Sequence, residues 1–434
     1  MINLARTMIL LAVLMAACKP IQKTGPPKMK KIDSQKGFIK TMDASGVLKD
    51  ILNQQPGLFE KILNDTENKV QIIYTGIDRD KNNRATFTDH FLNVNADKYF
   101  YPASTVKLPV AILALQKLNE LNIPGLDMNS TMNTEADDKS QSLNYNDPTS
   151  AEGRPAIANY IKKILLVSDN DAFNRLYEFL GQEYINNTLH KMGYEDVQII
   201  HRLEISLTED QNRHTNPVRF FDTSGQLIYE KPAEKSKLKY ANRSTKMGKG
   251  FYRSGQLINE PFDFSQKNRL TLQSLHNILR SIIFPESVPE NQRFNLKEED
   301  YLFLRKYMSM FPQESKYPAY DSVNYWDHYV KFLLFGAGKE PAESNIRIFN
   351  KVGDAYGFLI DAAYVVDFKN EVEFMLSAII HCNSDEIFND DKYEYNTIGF
   401  PFMRNLGQVI YQYELKRKRK FSTDLKKFMI DYSN

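Results

Sequence analysis

A serine and a lysine at a helical spacing are the residues of this sequence best suited to do chemistry. Ser104 and Lys107 stand three residues apart, directly before the apolar run 108–115. On a helix, residues with this spacing share one face. A lysine whose pKa is lowered by burial can take the proton of a serine hydroxyl, which turns the serine into a nucleophile. Free N–H groups at the start of the helix would then stabilise an oxyanion.

The same spacing has a simpler explanation, which is a helix-capping serine followed by a solvated lysine. It also recurs at Ser236 and Lys239, in a polar stretch without an apolar helix face, where we interpret it as chance. The pair therefore predicts a nucleophile only if other parts of the chain support one.

A second polar group follows a predicted helix over residues 156–167. Ser168-Asp169-Asn170 separates this helix from another over 172–180, which stops at Gly181. A junction between two helices can hold a hydroxyl and a side-chain amide in a cleft. The alternative is that the tripeptide only caps the next helix.

The elements that must position these residues come from both ends of the chain. Strands are predicted at 70–77 and from 85 onward as a hairpin, and then at 346–349, 357–366 and 372–380. Further helices are predicted within 38–63, over 270–284 and over 398–413. Strands at both ends with helices between them indicate one sheet made from the two termini.

Three motifs together resemble those of the penicillin-recognising serine hydrolases. They are Ser104-x-x-Lys107, Ser168-Asp169-Asn170 and Lys351-Val352-Gly353, and they keep the family's order and element types. From about residue 70 to 413 the chain resembles class A β-lactamases, and more closely their divergent exported relatives. The resemblance implies an α/β (α+β) fold with an antiparallel five-stranded sheet from the N- and C-terminal parts, flanked by helices, and an inserted all-helical subdomain.

A fourth segment, 201–208 (HRLEISLT), resembles the class A omega loop. Glu204 falls on the glutamate that activates the deacylating water in that family. Ile205 replaces a proline, and Thr208 replaces an asparagine that helps to hold the water. The alternative for Glu204 is a surface carboxylate paired with Arg202.

The resemblance also implies the roles of the site residues. Ser104 would attack a carbonyl, with Lys107 as base, either alone or through Glu204 and a water. Backbone N–H groups of Ser104 and of Asp354, which follows Gly353, would hold the oxyanion. The remaining implied roles are proton relay by Ser168, amide binding by Asn170 and positive potential from Lys351.

Two departures from the family predict weak hydrolysis of β-lactams. Val352 stands where the family has a serine or threonine that binds the antibiotic's carboxylate. The stretch 370–374 (NEVEF) corresponds to the segment that carries a supporting arginine in the family. It has two acidic residues and no basic one. Peptidoglycan D,D-peptidase or esterase activity remains an alternative, as does a catalytically degenerate, lipid-anchored protein that binds the cell wall.

The N-terminal residues resemble a bacterial lipoprotein signal. We expect a signal peptide over 1–17, a lipidated Cys18, a flexible tether to residue 37, a hydrolase domain over 38–415, and a basic tail over 416–434 with the ordered part ending near residue 420. The protein would be exported and anchored to a membrane, facing the periplasm or the cell surface. Its substrate would be a small molecule or derived from peptidoglycan.

Composition excludes several other classes of function. The chain has 434 residues with a net charge of +2, so charge gives no sign of a nucleic-acid partner. Seven histidines show no metal-ligand spacing, and we predict no metal and no other cofactor. With Cys18 lipidated, Cys382 would be alone and no disulfide would form. We expect a monomer, and we interpret Trp326, with Tyr325 and Tyr329, as helix packing.

An insertion over about 215–265 lies outside the resemblance. It contains a predicted hairpin, 218–221 and 226–229, joined by a turn over 222–225. Between Arg219 and Arg253 there are nine basic and three acidic residues. Such a run is usually a solvated face, and contact with an anionic polymer or lipid surface is the weaker interpretation.

Overall fold

An antiparallel sheet of five strands lies at the centre of the structure, a computed structural model that describes residues 46–137, 142–343 and 345–433. The predicted signal peptide, Cys18 and the tether lie outside the described residues. The strands of the described residues, in all sheets together, are Gln71–Arg79 (β1), Ala85–Leu92 (β2), Thr131–Thr134 (β3), His214–Thr215 (β4), Val218–Phe221 (β5), Leu227–Lys231 (β6), Glu234–Lys235 (β7), Lys246–Met247 (β8), Gly250–Arg253 (β9), Gln256–Ile258 (β10), Phe262–Asp263 (β11), Ile346–Ala355 (β12), Phe358–Asp367 (β13), Val372–His381 (β14) and Ile387–Phe388 (β15).

The central sheet has the order β12-β13-β14-β1-β2, and every neighbouring pair is antiparallel. Two strands come from the N-terminal part and three from the C-terminal part, as the sequence predicts. Every residue of β13 and β14 is buried, because helices cover both faces of the sheet. Strand β12 forms one edge, so alternate backbone N–H groups of this strand face away from β13.

Helices cover the two faces and fill the segment between β2 and β12. Their bounds are Val47–Asn53 (α1), Pro56–Asn64 (α2), Lys107–Leu121 (α3), Ile157–Val167 (α4), Asn170–Leu180 (α5), Gln182–Lys191 (α6), Glu209–Arg213 (α7), Leu272–Ile283 (α8), Glu298–Ser309 (α9) and Phe400–Lys416 (α10).

Alternation along the strands divides the apolar residues between two cores. Ile73 and Ile77 of β1 belong to the larger core, which includes α3, α4, α5 and α8. Ile72 and Tyr74 point the other way, into the smaller core beneath α1, α2 and α10. The sheet therefore separates α3, α4, α5 and α8 on one face from α1, α2 and α10 on the other.

The inserted subdomain, predicted to be all-helical, is not purely helical. Strand β5 pairs with β6 as the predicted hairpin, and β3 pairs with the other side of β5. The predicted five-stranded sheet and flanking helices are confirmed, and the inserted part carries this small sheet in addition. None of the helices described is long and apolar enough to cross a membrane.

The C-terminal segment corrects one prediction. The ordered part does not end at the basic run 416–420, since Leu425 and Phe428 are buried, at 4% and 1% exposure. The ring of Phe428 lies 4.9 Å from that of Tyr364 on β13 and 5.7 Å from that of Phe284. These two apolar side chains return the segment to the larger core.

Candidate active site

Ser104 lies in a single 3₁₀ turn, Ala103–Val106, that leads directly into α3. The turn begins with Ala103 at φ 46°, a conformation that residues with a side chain rarely adopt. Such strained residues are frequent where a structure holds a functional group in a fixed position. Ser104 thus stands at the N-terminal end of the helix, as the sequence predicts, although one turn of 3₁₀ helix precedes the α-helix.

Strand β12 touches this turn through Gly353. A Cβ atom at residue 353 would lie 3.0 Å from the backbone nitrogens of Ser104 and Thr105, and 2.9 Å from the carbonyl oxygen of Pro102. Only glycine allows this close approach. The predicted residue Gly353 therefore sets the distance between the edge strand and the nucleophile.

Lys107 is fully buried beside Ser104. Its Nζ donates to Ser104 Oγ at 2.8 Å and to Asn170 Oδ1 at 2.6 Å, and also contacts the backbone oxygen of Ser168. Desolvation lowers the pKa of Lys107 to about 7, and nearby carboxylates only partly oppose this shift. The alternative of a solvated lysine is wrong.

The junction between α4 and α5 divides its three polar side chains between capping and the site. Asp169 caps α5 by accepting from the backbone N–H of Ala172 at 2.7 Å. Ser168 adopts a left-handed conformation at the end of α4, with φ 61°. Because Asp169 supplies the cap, Ser168 and Asn170 are free to face Lys107.

Lys351 completes the group from β12. Its Nζ donates to Ser168 Oγ at 2.7 Å and to the backbone oxygen of Val352 at 2.9 Å. Ser168 Oγ is also 3.3 Å from Lys107 Nζ, so it lies between two lysines. Burial and the neighbouring Lys107 lower the pKa of Lys351 well below its ordinary value. A hydroxyl between two amines is suited to pass a proton.

Glu204 joins the same network through an amide. Its Oε2 accepts from Asn170 Nδ2 at 2.6 Å, and Asn170 binds Lys107 through its other atom. The alternative that Glu204 pairs with Arg202 is wrong, because Arg202 is buried and pairs with Glu178 at 2.5 Å. The structure therefore brings Ser104, Lys107, Asn170 and Glu204 into one hydrogen-bonded chain.

Buried side chains hold the loop that carries Glu204. Asn174 binds Leu203 twice, through the backbone nitrogen at 2.9 Å and the backbone oxygen at 3.0 Å. Asn212 accepts from the backbone N–H of Arg202 at 2.9 Å. These contacts fix the two residues that directly precede Glu204, which itself has φ 59°.

Thr208 does not take the place that the sequence predicts. Its hydroxyl caps α7 by accepting from the backbone N–H of Gln211 at 3.2 Å, and the Gln211 side chain binds back to the Thr208 backbone at 2.9 Å. This is a capping box. The expectation that Thr208 holds a water beside Glu204 disagrees with this geometry, because the hydroxyl is committed to the helix.

Ser104, Ser168, Asn170, Val352 and Asp354 line one cavity of about 760 Å³. Desolvation raises the pKa of the Asp354 carboxyl, and the nearby Lys351 and Lys107 oppose the shift. A volume of this size is typical of pockets for small-molecule substrates. The motif residues thus line a cavity that is large enough for a small molecule.

Another part of the cavity wall consists of residues whose role the sequence did not predict. Trp326 and Tyr329 line the cavity, so their interpretation as helix packing is wrong; the segment around them forms turns. Lys339 and Arg404 also line it, and Lys339 Nζ lies 4.5 Å from the centre of the Trp326 ring. Cationic and aromatic side chains therefore line the same cavity as Ser104. The only sequence signal was the cluster of aromatic residues around Trp326.

A buried polar group supports this wall. Asp361 accepts from the backbone N–H groups of Phe332 and Leu333, at 3.1 and 3.0 Å, and from Asn350 Nδ2 at 2.9 Å. Lys331 donates to Asn350 Oδ1 at 2.7 Å. These bonds attach the wall to β12 and β13 next to Lys351.

The stretch 370–374, matched to a supporting arginine, lies far from the site. Glu373 is paired in register with Val366, which pairs with Arg347, whereas Gly353 pairs with Ile360. Its carboxylate is fully buried and binds Arg79 at 2.6 Å. The expectation that this acidic stretch weakens β-lactam hydrolysis is therefore wrong. The strand that follows the Lys351 motif is β13, not β14.

Comparison with known proteins places the chain in a family. The model of the Beta-lactamase enzyme family matches residues 58–413, which is well over half of the chain. The chain therefore belongs to the β-lactamase enzyme family. No curated protein matches the chain.

Several solved structures are similar to it. A β-lactamase from Sphaerobacter thermophilus has 11% identity, with 84% of this chain and 99% of that chain covered at a TM-score of 0.44. PBP-A has 15% identity, with 84% and 97% covered at 0.45. A class A β-lactamase from Clostridium kluyveri has 14% identity, with 83% and 98% covered at 0.42.

Proposed function

We propose that this protein is a serine hydrolase that forms an acyl-enzyme at Ser104 on an amide or ester. The observation that carries the proposal is the contact of 2.8 Å between Ser104 Oγ and the buried Nζ of Lys107. Because desolvation lowers the pKa of Lys107 to about 7, a neutral amine is available near neutral pH to accept the hydroxyl proton.

The acylation step follows from the hydrogen-bonded chain. Ser104 Oγ attacks the carbonyl carbon and its proton passes to Lys107 Nζ. The N–H groups of Ser104 and Asp354 hold the oxyanion of the tetrahedral intermediate. Ser168, between Lys107 and Lys351, then delivers a proton to the leaving group as the scissile bond breaks.

The deacylation step needs a base that remains free when Ser104 is acylated. Glu204 is placed for this role, since it is joined to Lys107 only through Asn170. It takes a proton from a water that attacks the ester, and Ser104 leaves with a proton returned through Lys107.

We propose weak activity on penicillins and cephalosporins. Val352 lines the cavity and has no donor for the antibiotic's carboxylate. A lost charge-assisted hydrogen bond costs about 1.5–3 kcal/mol, or roughly ten- to a hundredfold in binding. Lys339 and Arg404 line the same cavity and offset part of this loss. A peptidoglycan D,D-peptidase or an esterase is the second candidate. The observation at Val352 favours the esterase, because a D,D-peptide also ends in a carboxylate.

A catalytically degenerate cell-wall-binding protein is the least supported alternative. Such a protein has no use for a buried lysine, which costs free energy of folding. The hydrogen bonds of Lys107 to Ser104 and Asn170 argue for a working site.

A substrate panel tests the proposal. We expect kcat/KM for a neutral ester to exceed that for a penicillin, and Ser104→Ala to abolish both. A penicillin kcat/KM of about 10⁷ M⁻¹s⁻¹ or more would overturn the claim of weak β-lactam hydrolysis. Ser104→Ala with unchanged hydrolysis of every substrate would overturn the serine mechanism.

We also propose that the protein is exported and anchored through lipid on Cys18, on the strength of the N-terminal pattern alone. Cys18→Ala is expected to move the protein from the membrane fraction to the soluble exported fraction. Cys382→Ala, the matched change at the only other cysteine, is expected to leave it in the membrane fraction. A soluble wild type contradicts the proposal.

A further inference from the structure

Asp354 places a carboxylate inside the catalytic cavity. The residue follows Gly353 on the edge strand and lines the same space as Ser104 and Ser168. Within residues 46–137, 142–343 and 345–433, no hydrogen bond to its side chain and no ion pair with it is formed. The role of its backbone N–H in the mechanism does not explain an acidic side chain at this position.

The two nearby lysines do not pair with this carboxylate. Lys351 Nζ donates to Ser168 and to the backbone of Val352, and Lys107 Nζ donates to Ser104 and Asn170. Both amines are thus oriented toward the catalytic hydroxyls. The Asp354 carboxylate remains available to a bound substrate.

An unpaired carboxylate beside the oxyanion position works against acyl transfer. Negative charge develops on the carbonyl oxygen in the transition state, and a neighbouring carboxylate repels it. A positive charge on the substrate, next to the carbonyl, removes this repulsion and adds an attraction. With such a substrate, the Asp354 carboxylate would stabilise the transition state instead of destabilising it.

We propose that Asp354 selects substrates with an ammonium group close to the scissile carbonyl, such as aminoacyl esters or amides. The proposal rests on the proposed acyl-enzyme at Ser104 and adds the charge of the substrate. Val352, on the same strand, agrees with it because this part of the wall offers no donor to an anionic group.

Two fluorophosphonates of equal shape test the proposal. One carries a 2-(trimethylammonio)ethyl ester and the other the neutral 3,3-dimethylbutyl ester. Second-order rates of labelling are measured by intact mass on the full chain. We expect the wild type to prefer the cationic probe, and Asp354→Asn to lower the ratio of cationic to neutral rates by about tenfold, since one charge interaction is lost.

Asp171→Asn is the control, because it removes the same charge next to Asn170 but outside the residues that line the cavity. This variant should keep the wild-type ratio. Labelling of Ser104 with a ratio that Asp354→Asn leaves unchanged overturns the charge selection and leaves the serine mechanism in place. If neither probe labels Ser104, the proposed function fails, and the selection fails with it.

Discussion

Lys107 can act as the proposed base only because the fold removes it from water. An exposed lysine stays protonated at neutral pH, and a buried one loses its proton more easily. The side chain is fully buried, and its amine is held by Ser104, Ser168 and Asn170. The proposed reactivity of the pair therefore depends on burial of the lysine rather than on the spacing of the motif alone.

The first prediction is a pH profile. The pKa of Lys107 is lowered to about 7, so its neutral form is present above that pH and lost below it. The rate of Ser104 acylation by a neutral fluorophosphonate should fall about tenfold per pH unit below 7 and level off above it. A rate that still rises between pH 8 and 10 would assign the base an ordinary lysine pKa.

The second prediction separates acylation from deacylation. Glu204→Gln keeps the hydrogen-bonding shape beside Asn170 but removes the base, so an acyl-enzyme should accumulate and be visible by mass after an ester substrate is added. Glu209→Gln, a nearby exposed carboxylate paired with Arg213, serves as control and should turn over normally. Wild-type turnover by Glu204→Gln would mean that Glu204 has no role in deacylation.

At the scale of residues, the sequence predicts well those positions whose spacing within one element places them together. Ser104 and Lys107 lie on one helical turn, and Asn170 follows a helix junction. Trp326 and Arg404 were missed because irregular turns and a distant helix bring them to the cavity. Apart from the cluster of aromatic residues around Trp326, nothing in their local sequence indicates that contact.

At the scale of elements, the site depends on how closely β12 approaches the nucleophile turn. Gly353 has no side chain, and this lets the strand lie against the backbone of Ser104. Register between β12 and β13 then fixes which residues face the cavity. The stretch around Glu373 belongs to β14, whereas the strand that follows the Lys351 motif is β13. The motif alone does not show how many strands lie between the two stretches.

The third prediction concerns this approach. In Gly353→Ala the new Cβ would lie 3.0 Å from two backbone nitrogens of the turn, so the strand or the turn must shift. We expect labelling of Ser104 to fall by about a hundredfold, since a small displacement of a reacting group has a cost of this order. Gly57→Ala, in α2 with no atom within 4 Å, should label at the wild-type rate. An unaffected Gly353→Ala would contradict the close-approach argument.

Thr208 illustrates how an element can override a motif. The sequence Thr-x-x-Gln at 208–211 is a capping-box pattern, and it was available before the structure. The structure uses it to begin α7, so the hydroxyl is lost to the site. The local capping-box pattern therefore accounts for the position of the Thr208 hydroxyl better than the match to the family's asparagine does.

At the scale of the whole molecule, the chain closes by returning its C-terminal segment to the larger core. The basic run 416–420 suggested a solvated tail, but charge in a short run does not describe the residues that follow it. Leu425 and Phe428 supply the apolar contacts. The sequence predicted the sheet from both termini, and not this last contact with it.

The fourth prediction tests that contact. Phe428→Ala removes a ring packed against Tyr364 and Phe284, so it should lower the free energy of unfolding by about 3–5 kcal/mol, measured by urea unfolding. Met429→Ala, whose side chain is 60% exposed, should change it by less than about 0.5 kcal/mol. Equal effects of the two changes would mean that the segment does not pack as described.

The central claim is that Ser104 is the residue that becomes acylated. The most direct measurement is peptide mapping after labelling with a neutral fluorophosphonate, for the wild type, Ser104→Ala and Ser236→Ala. The second serine has the same Ser-x-x-Lys spacing, without the buried lysine. The account predicts a single adduct on Ser104 in the wild type and in Ser236→Ala, and none in Ser104→Ala. An adduct that persists in Ser104→Ala would contradict it.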